Sequence, residues 1–249
     1  MLSIDLNCDM GEGFDSDAAI MPFISSVNIA CGYHAGDTDT MHRTVELALK
    51  NNVLIGAHPS YPDRENFGRT DMTGKQLQPA DLPAIITDQI NLLEAICKTF
   101  GTSLHHVKPH GALYNRAAWD EEVSARICTA VKAANPALLL YGLSGSETQK
   151  QALAHHVAFA SEVFADRTYQ NDGSLTPRAQ PGAMITDEDK SLQQVLQMLQ
   201  QKTVTTVSGK TIPIKADTLC IHGDGPHALA FAQRIHQALK QHGIEIKSL

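Results

Sequence analysis

The chain has 249 residues, enough to bury a sizeable core as one large α/β domain or two small ones. Its formal net charge of -7, with no Lys/Arg-rich run to offset it locally, argues against a nucleic-acid surface. Five scattered cysteines with no CxxC pair argue against a disulfide framework or a thiolate zinc cluster, and point to reduced thiols in a cytoplasmic protein.

The first ten residues, MLSIDLNCDM, lack the basic start and continuous apolar stretch of a signal peptide. No segment reaches the apolar length that spans a bilayer, so no membrane association is expected. LSIDLNC alternates strictly and predicts a strand. SSVNIAC and NVLIGAH predict two more, separated by TMHRTVELALKNN, whose apolar residues recur at helical spacing. QINLLEAICKTFG predicts a helix stopped by Gly101, HHVKPH a short strand, and EEVSARICTAVKAANP another helix. ALLLYGL and HVAFASEV predict the next strands, with a capping-box-like Ser144-Gly-Ser-Glu147 between them. Residues 168 to 185, TYQNDGSLTPRAQPGAMI, break the pattern. They predict a long polar loop that Gly173, Pro177 and Gly182 leave with little packing of its own, of the kind that serves as a lid. Thr186-Asp-Glu-Asp189 resembles a second capping box before the helix SLQQVLQMLQQK. VTTVSGKTIPI predicts two short strands around a turn. DTLCIHG is the last strand, and HALAFAQRIHQALKQHG a final helix ending at Gly243.

Strands alternating with helices make a parallel sheet, closed into a barrel or open and doubly wound. About seven units are countable, one fewer than the usual (β/α)₈ barrel, and no linker divides the chain. The expectation is a single domain over residues 1 to 249.

In a closed barrel one face of each strand meets the helices and the other points inward. In the first strand Leu2, Ile4, Leu6 and Cys8 share the apolar face, so Asp5, Asn7 and Asp9 point inward. The same parity puts Asn28, His58, Lys108 with His110, Glu162 and His222 on inward faces near strand C-terminal ends, where α/β proteins place active sites. One such residue is most simply a hydrogen-bonded structural group. Carboxylates, imidazoles and an amine converging from several strands would be costly to bury without function.

Two nucleotide-like signals fail. Ser208-Gly209-Lys210-Thr211 ends like a P-loop, but Val204 stands where that motif needs glycine, and the extended TIPIKAD follows instead of a helix. Gly223-Asp-Gly225-Pro-His-Ala228 leaves too little chain for the rest of a dinucleotide fold, although the start of the last helix suits an anion. Asp9, His34 and His58 suit a bound divalent metal and plain acid–base work alike.

Taken together, DLNCDMGEG, VNIACGYHAGD, IGAHPSYPDRENFGR, HVKPHGALYN, EVFADRTYQNDGSLTPR and CIHGDGPHAL resemble the LamB/YcsF family over nearly the whole chain. The family's first motif often carries Ala where Cys8 stands, on the helix-facing side. The resemblance implies an irregular (β/α) barrel similar to glycoside hydrolase and polysaccharide deacetylase barrels. It also implies one component of a 5-oxoprolinase, which opens the lactam of 5-oxo-L-proline to L-glutamate with ATP as co-substrate and partner subunits B and C. On that basis Asp9, Glu12, Lys108 and His110 are the candidate catalytic residues. Asn7, Asn28, His34, Asp37, His58, Glu162, Arg167, His222 and Asp224 are the candidate substrate-binding ones. Simpler roles stand beside some of these: Asp37 as a helix cap, and Arg64 and Arg69 as surface partners of Asp63 and Glu65.

Overall fold

A computed structural model describes residues 2–221 and 228–249. Its strands and helices run in chain order as β1 (Ser3–Met10), α1 (Asp17–Ile20), β2 (Ser26–Ala30), α2 (Thr38–Lys50), β3 (Leu54–His58), α3 (Leu82–Thr99), β4 (His106–Val107), α4 (Gly111–Ala117) and α5 (Glu121–Ala134). There follow β5 (Leu139–Leu143), α6 (Glu147–Ala154), β6 (Ala158–Phe164), α7 (Glu188–Leu196), β7 (Thr203–Thr205), β8 (Thr211–Pro213), β9 (Thr218–Ile221), α8 (Ala228–Gln241) and β10 (Glu245–Ile246). Strands β1 to β6 and β9 pair in parallel, and β9 pairs back onto β1, closing a seven-stranded barrel. The β10 strand adds to the start of β1, and β7 and β8 form a separate antiparallel hairpin. Among the described residues no helix is long and apolar enough to cross a membrane.

The alternation of β1 is realised from Ile4 onward, while Leu2 lies before the strand and is exposed. Ile4, Leu6 and Cys8 join the apolar core between barrel and helices, with Val27, Ile55 and Leu219 from neighbouring strands. The inward residues fill the barrel with a hydrogen-bonded polar column instead of the usual apolar layers. At the bottom, Asp5 is fully buried. It accepts bonds from the hydroxyls of Ser25 at 2.7 Å, Tyr141 at 3.0 Å, Thr218 at 2.6 Å and also Ser26. Above it, Asn7 donates to Thr218 at 2.7 Å and to Glu162 at 3.0 Å, and accepts from Asn28 at 2.8 Å. His106 stacks on Tyr141 and bonds the Asn28 side-chain oxygen at 2.7 Å. Each buried polar group in these lower tiers thus has partners, which is the condition for burying it at all.

Packing of this column depends on Gly56, where an added Cβ would lie 2.1 Å from His106 Nε2. The neighbour is a ring locked between Asn28 and Tyr141, so it has nowhere to go. Gly56→Ala is expected to lose about 3 kcal/mol of stability or more, in the upper range for overpacking. Urea unfolding measures it; an unchanged midpoint would show that His106 is not fixed there.

Several local expectations shift. The capping box at Ser144 does not form: Ser144 Oγ accepts from Lys215 N–H at 3.1 Å, and Ser146 is the N-cap of α6. Likewise Asp187, not Thr186, caps α7, accepting from the N–H groups of Asp189 and Lys190. The loop of residues 168–185 is better packed than its composition suggests. Tyr169, Thr176 and Ala183 are buried, and Thr168 and Thr176 bond across its base at 2.8 Å. Asn171 in turn accepts from Thr206 and Ser208 of the β7–β8 hairpin. Ser208, Gly209 and Lys210 lie in that hairpin's turn and Thr211 opens β8, as their failure to fit a P-loop implied.

Candidate active site

At the C-terminal ends of the strands lies a cavity of about 900 Å³, lined by Asp9, Glu12, Lys108, His110, Tyr114 and Arg167 among others. Its floor is an ion-paired chain. Lys108 Nζ lies 2.9 Å from Asp9 Oδ1 and 2.9 Å from Glu162 Oε1, with Cys220 Sγ at 3.1 Å. Asn28 also donates to Asp9 Oδ1 at 2.8 Å. Burial alone would lower the Lys108 pKa, but the Asp9 and Glu162 carboxylates outweigh it and hold the amine well above its ordinary value. Lys108 is therefore a fixed ammonium, not a base.

Beside this chain three imidazoles surround Glu12. Its Oε1 lies 3.0 Å from His34 Nε2, 3.3 Å from His110 Nδ1 and 3.7 Å from His58 Nε2. The far nitrogen of each ring is tied to an oxygen that orients it. His58 Nδ1 meets the Lys108 carbonyl at 2.7 Å, His110 Nε2 the Phe67 carbonyl at 2.9 Å, and His34 Nδ1 the Ser60 hydroxyl at 3.0 Å. Ser60 spends its own proton on the Tyr61 carbonyl, so it accepts from His34. The three remaining nitrogens turn toward one another and Glu12, all within 4.8 Å, an arrangement that can hold a metal ion.

The charge state follows from the same contacts. Burial pushes His34 down to about 2, and burial with the neighbouring imidazoles pushes His110 down to about 3. Burial would lower His58 too, but Asp9 and Glu12 outweigh it and raise its pKa. His58 Nε2 and His110 Nδ1 are 2.9 Å apart, which two lone pairs would not tolerate without a cation or proton between them. Close approach of the loop carrying Phe67 needs Gly68, with φ +65°, where a Cβ would sit 2.8 Å from His110 Cδ2.

Most residues singled out from sequence meet here: Asn7, Asp9, Glu12, Asn28, His34, His58, Lys108, His110 and Glu162 form one bonded network, and Arg167 lines the same cavity. Asp37 does not join them. It is the exposed N-cap of α2, accepting from Thr40 N–H at 2.8 Å. His222 and Asp224 lie outside the described residues. Of the expected metal-ligand set Asp9, His34 and His58, the two histidines stand in one cluster with Glu12 and His110, while Asp9 Oδ1 is engaged by Lys108 and Asn28 and its Oδ2 lies 3.4 Å from His58 Nε2 at the cluster's edge. Arg64 does not act as a partner of Asp63: it donates to the Gly32 and Gly36 carbonyls and so clamps the turn that carries His34. Asp63 accepts from Asn66 and Thr70, while Arg69 lies over the Phe67 ring, 5.0 Å from its centroid, on the cavity wall. Sequence reasoning missed Tyr114 and Ser146 on the cavity wall and His106 in the column below. For His106 the signal was present, two residues before Lys108 on the same face.

A model of the LamB/YcsF family matches residues 4–249. The chain is 50% identical to the 5-oxoprolinase A subunit of Brevibacillus brevis, covering 99% of this chain and 98% of that one. It is 48% identical to the 5-oxoprolinase A subunit of Tolumonas auensis over all of both chains. Among solved structures, the "lactam utilization protein" of Thermus thermophilus matches with a TM-score of 0.93 and 38% identity over the full length of both. A peptidoglycan deacetylase from Bacillus subtilis matches at a TM-score of 0.50 and 12% identity, covering 100% of this chain and 88% of that one, a likeness of fold alone.

Proposed function

The chain belongs to the LamB/YcsF family, and on that footing we propose that it is the A subunit of a 5-oxoprolinase. As a single cytoplasmic (β/α) barrel domain it opens the lactam of 5-oxo-L-proline to L-glutamate, using ATP as co-substrate and acting with partner subunits B and C. The observation that carries this reading is the Asp9–Lys108–Glu162 chain, a fixed cation between two carboxylates on the floor of an open cavity.

Opening a five-membered lactam needs a group to take a proton from attacking water, a positive charge for the oxygen, and a holder for the substrate's carboxylate. Asp9 suits the first role: both it and Glu12 line the cavity, but Glu12 Oε1 is shared among three imidazoles, whereas Asp9 lies directly against the Lys108 ammonium. Lys108 supplies the charge, and Glu162 and Asn7 hold it in place. Arg167, buried on the cavity wall, receives the carboxylate. ATP is expected to act at the partner subunits, since residues 208–210 lie in a hairpin turn leading into β8 instead of a phosphate cradle. Omitting this chain from a mixture of subunits B and C with ATP and 5-oxo-L-proline is expected to abolish glutamate release. Undiminished release without it would overturn the reading.

The imidazole cluster supports a second reading. Glu12, His34, His58 and His110 fit a divalent transition metal, which when bound would supply Lewis-acid polarisation or an activated water. Metal is expected to raise the unfolding temperature of the chain, and His110→Ala to weaken its binding at least about tenfold, as for loss of a supporting group in other metal sites. Lactam hydrolysis by the metal-loaded chain without ATP, lost to a chelator, would favour a stand-alone amidase. Its absence favours the reading as one part of a multi-subunit enzyme.

A further inference from the structure

Among the described residues five buried side-chain atoms make no hydrogen bond of ordinary geometry: Tyr114 Oη, Ser146 Oγ, Ser161 Oγ, Glu162 Oε2 and Arg167 Nε. Leaving such atoms unpaired is costly, and each calls for an explanation. Three of the five, those of Tyr114, Ser146 and Arg167, belong to residues that line the cavity. All three can donate. They follow three successive barrel strands: Tyr114 sits on α4 after β4, Ser146 caps α6 after β5, and Arg167 follows β6.

Arg167 is only 4% exposed and carries a charge, yet it makes no ion pair among the described residues. One amino group donates to the Thr176 carbonyl at 2.7 Å, which fixes the guanidinium without neutralising it. Burial and the nearby Arg178 lower its pKa, a sign of a cation held without enough negative charge around it. Ser146 stands at a helix N-terminus but does not bond the first-turn N–H groups as N-cap serines do, so its hydroxyl is left for another acceptor. Tyr114 is held protonated, since burial and the Glu162 carboxylate that its hydroxyl faces push its phenol far up; that carboxylate is already paired with Lys108. The Glu12 and imidazole cluster lies at the C-terminal ends of β1 to β4, meeting the three donors at β4. The cavity thus has one wall suited to a cation and another suited to an anion.

We propose that Tyr114, Ser146 and Arg167 together bind the substrate's carboxylate and make the chain selective for carboxylated lactams. This rests on the lactam-opening reading above, and adds Tyr114 and Ser146 as residues that determine specificity. Three donors on rigid elements fix the acid group on one wall, which orients the ring over Asp9 and Lys108. A lactam lacking the acid would leave the same donors unpaired, and a neutral amide would place its own N–H groups against a cation.

Equilibrium binding to the full chain tests this with 5-oxo-L-proline, its primary carboxamide and unsubstituted 2-pyrrolidone. The wild-type chain is expected to bind the acid at least about thirtyfold more tightly than either neutral ligand. Tyr114→Phe and Ser146→Ala are each expected to weaken the acid about tenfold, the scale of one hydrogen bond to a charged group. The same variants should shift the carboxamide less than twofold. A purely structural role would weaken acid and carboxamide alike, and that result would overturn the proposal. So would a wild-type chain with no preference for the acid, including one that binds none of the three. Failure of the reaction reading shows differently, as an assembled enzyme that binds the acid but releases no glutamate.

Discussion

Lys108→Met in the assembled enzyme is expected to lower the rate of glutamate formation by about 10²–10³-fold, the loss seen when one preorganised oxyanion donor is removed. Methionine keeps the stem of the side chain and removes only the charge. In the folded protein Lys108 is 3% exposed and balances both Asp9 and Glu162. Removing it leaves two carboxylates facing each other, so the first consequence is local: one takes up a proton. The second is catalytic, because the ammonium paired with Asp9 Oδ1 on the cavity floor is lost, and His58, 3.4 Å from Asp9 Oδ2, is held on the other side of that carboxylate. Single-turnover measurement with subunits B and C present separates this from a failure to fold, provided the variant's unfolding midpoint is measured alongside. A rate within a fewfold of wild type, in a folded variant, would remove Lys108 from the chemistry.

The sequence carried the barrel and its inward face further than it carried the site's wiring. Strict alternation in LSIDLNC settles which face of β1 meets the helices, since one register error would bury every polar group against them. The same parity leads to Asn28, His58, Lys108 and Glu162. Glu12 was harder to place, because it lies beyond the strand end, where Gly11 (φ +73°) turns the chain back over the barrel mouth. Parity says nothing past such a turn, which is why Glu12 was not among the expected metal ligands. His110 depends on Phe67, 43 residues away, for its orientation, and no local pattern encodes that contact. Asp37 shows the opposite failing: a polar residue after a strand end can simply start a helix. The loop of residues 168–185 looked unpacked by composition, yet one buried tyrosine, Tyr169, and a threonine pair anchor it.

Asp9→Asn is the second substitution with a large expected effect. It preserves shape and the hydrogen bond to Lys108 while removing the capacity to take a proton. Its amide can still accept from Lys108 through oxygen, so assembly and substrate binding should survive. Proton abstraction typically contributes about 10²–10⁴-fold, and glutamate formation is expected to fall by that amount. The central claim is that this barrel performs the ring opening instead of only presenting the lactam to its partners. The measurement that tests it most directly is glutamate released by the complex containing Asp9→Asn, with binding of 5-oxo-L-proline to the variant determined in parallel. Binding within a fewfold of wild type, with glutamate release down by about a hundredfold or more, is the expected result. Unchanged glutamate release at the same binding would contradict the claim and leave the chain a passive carrier of its substrate.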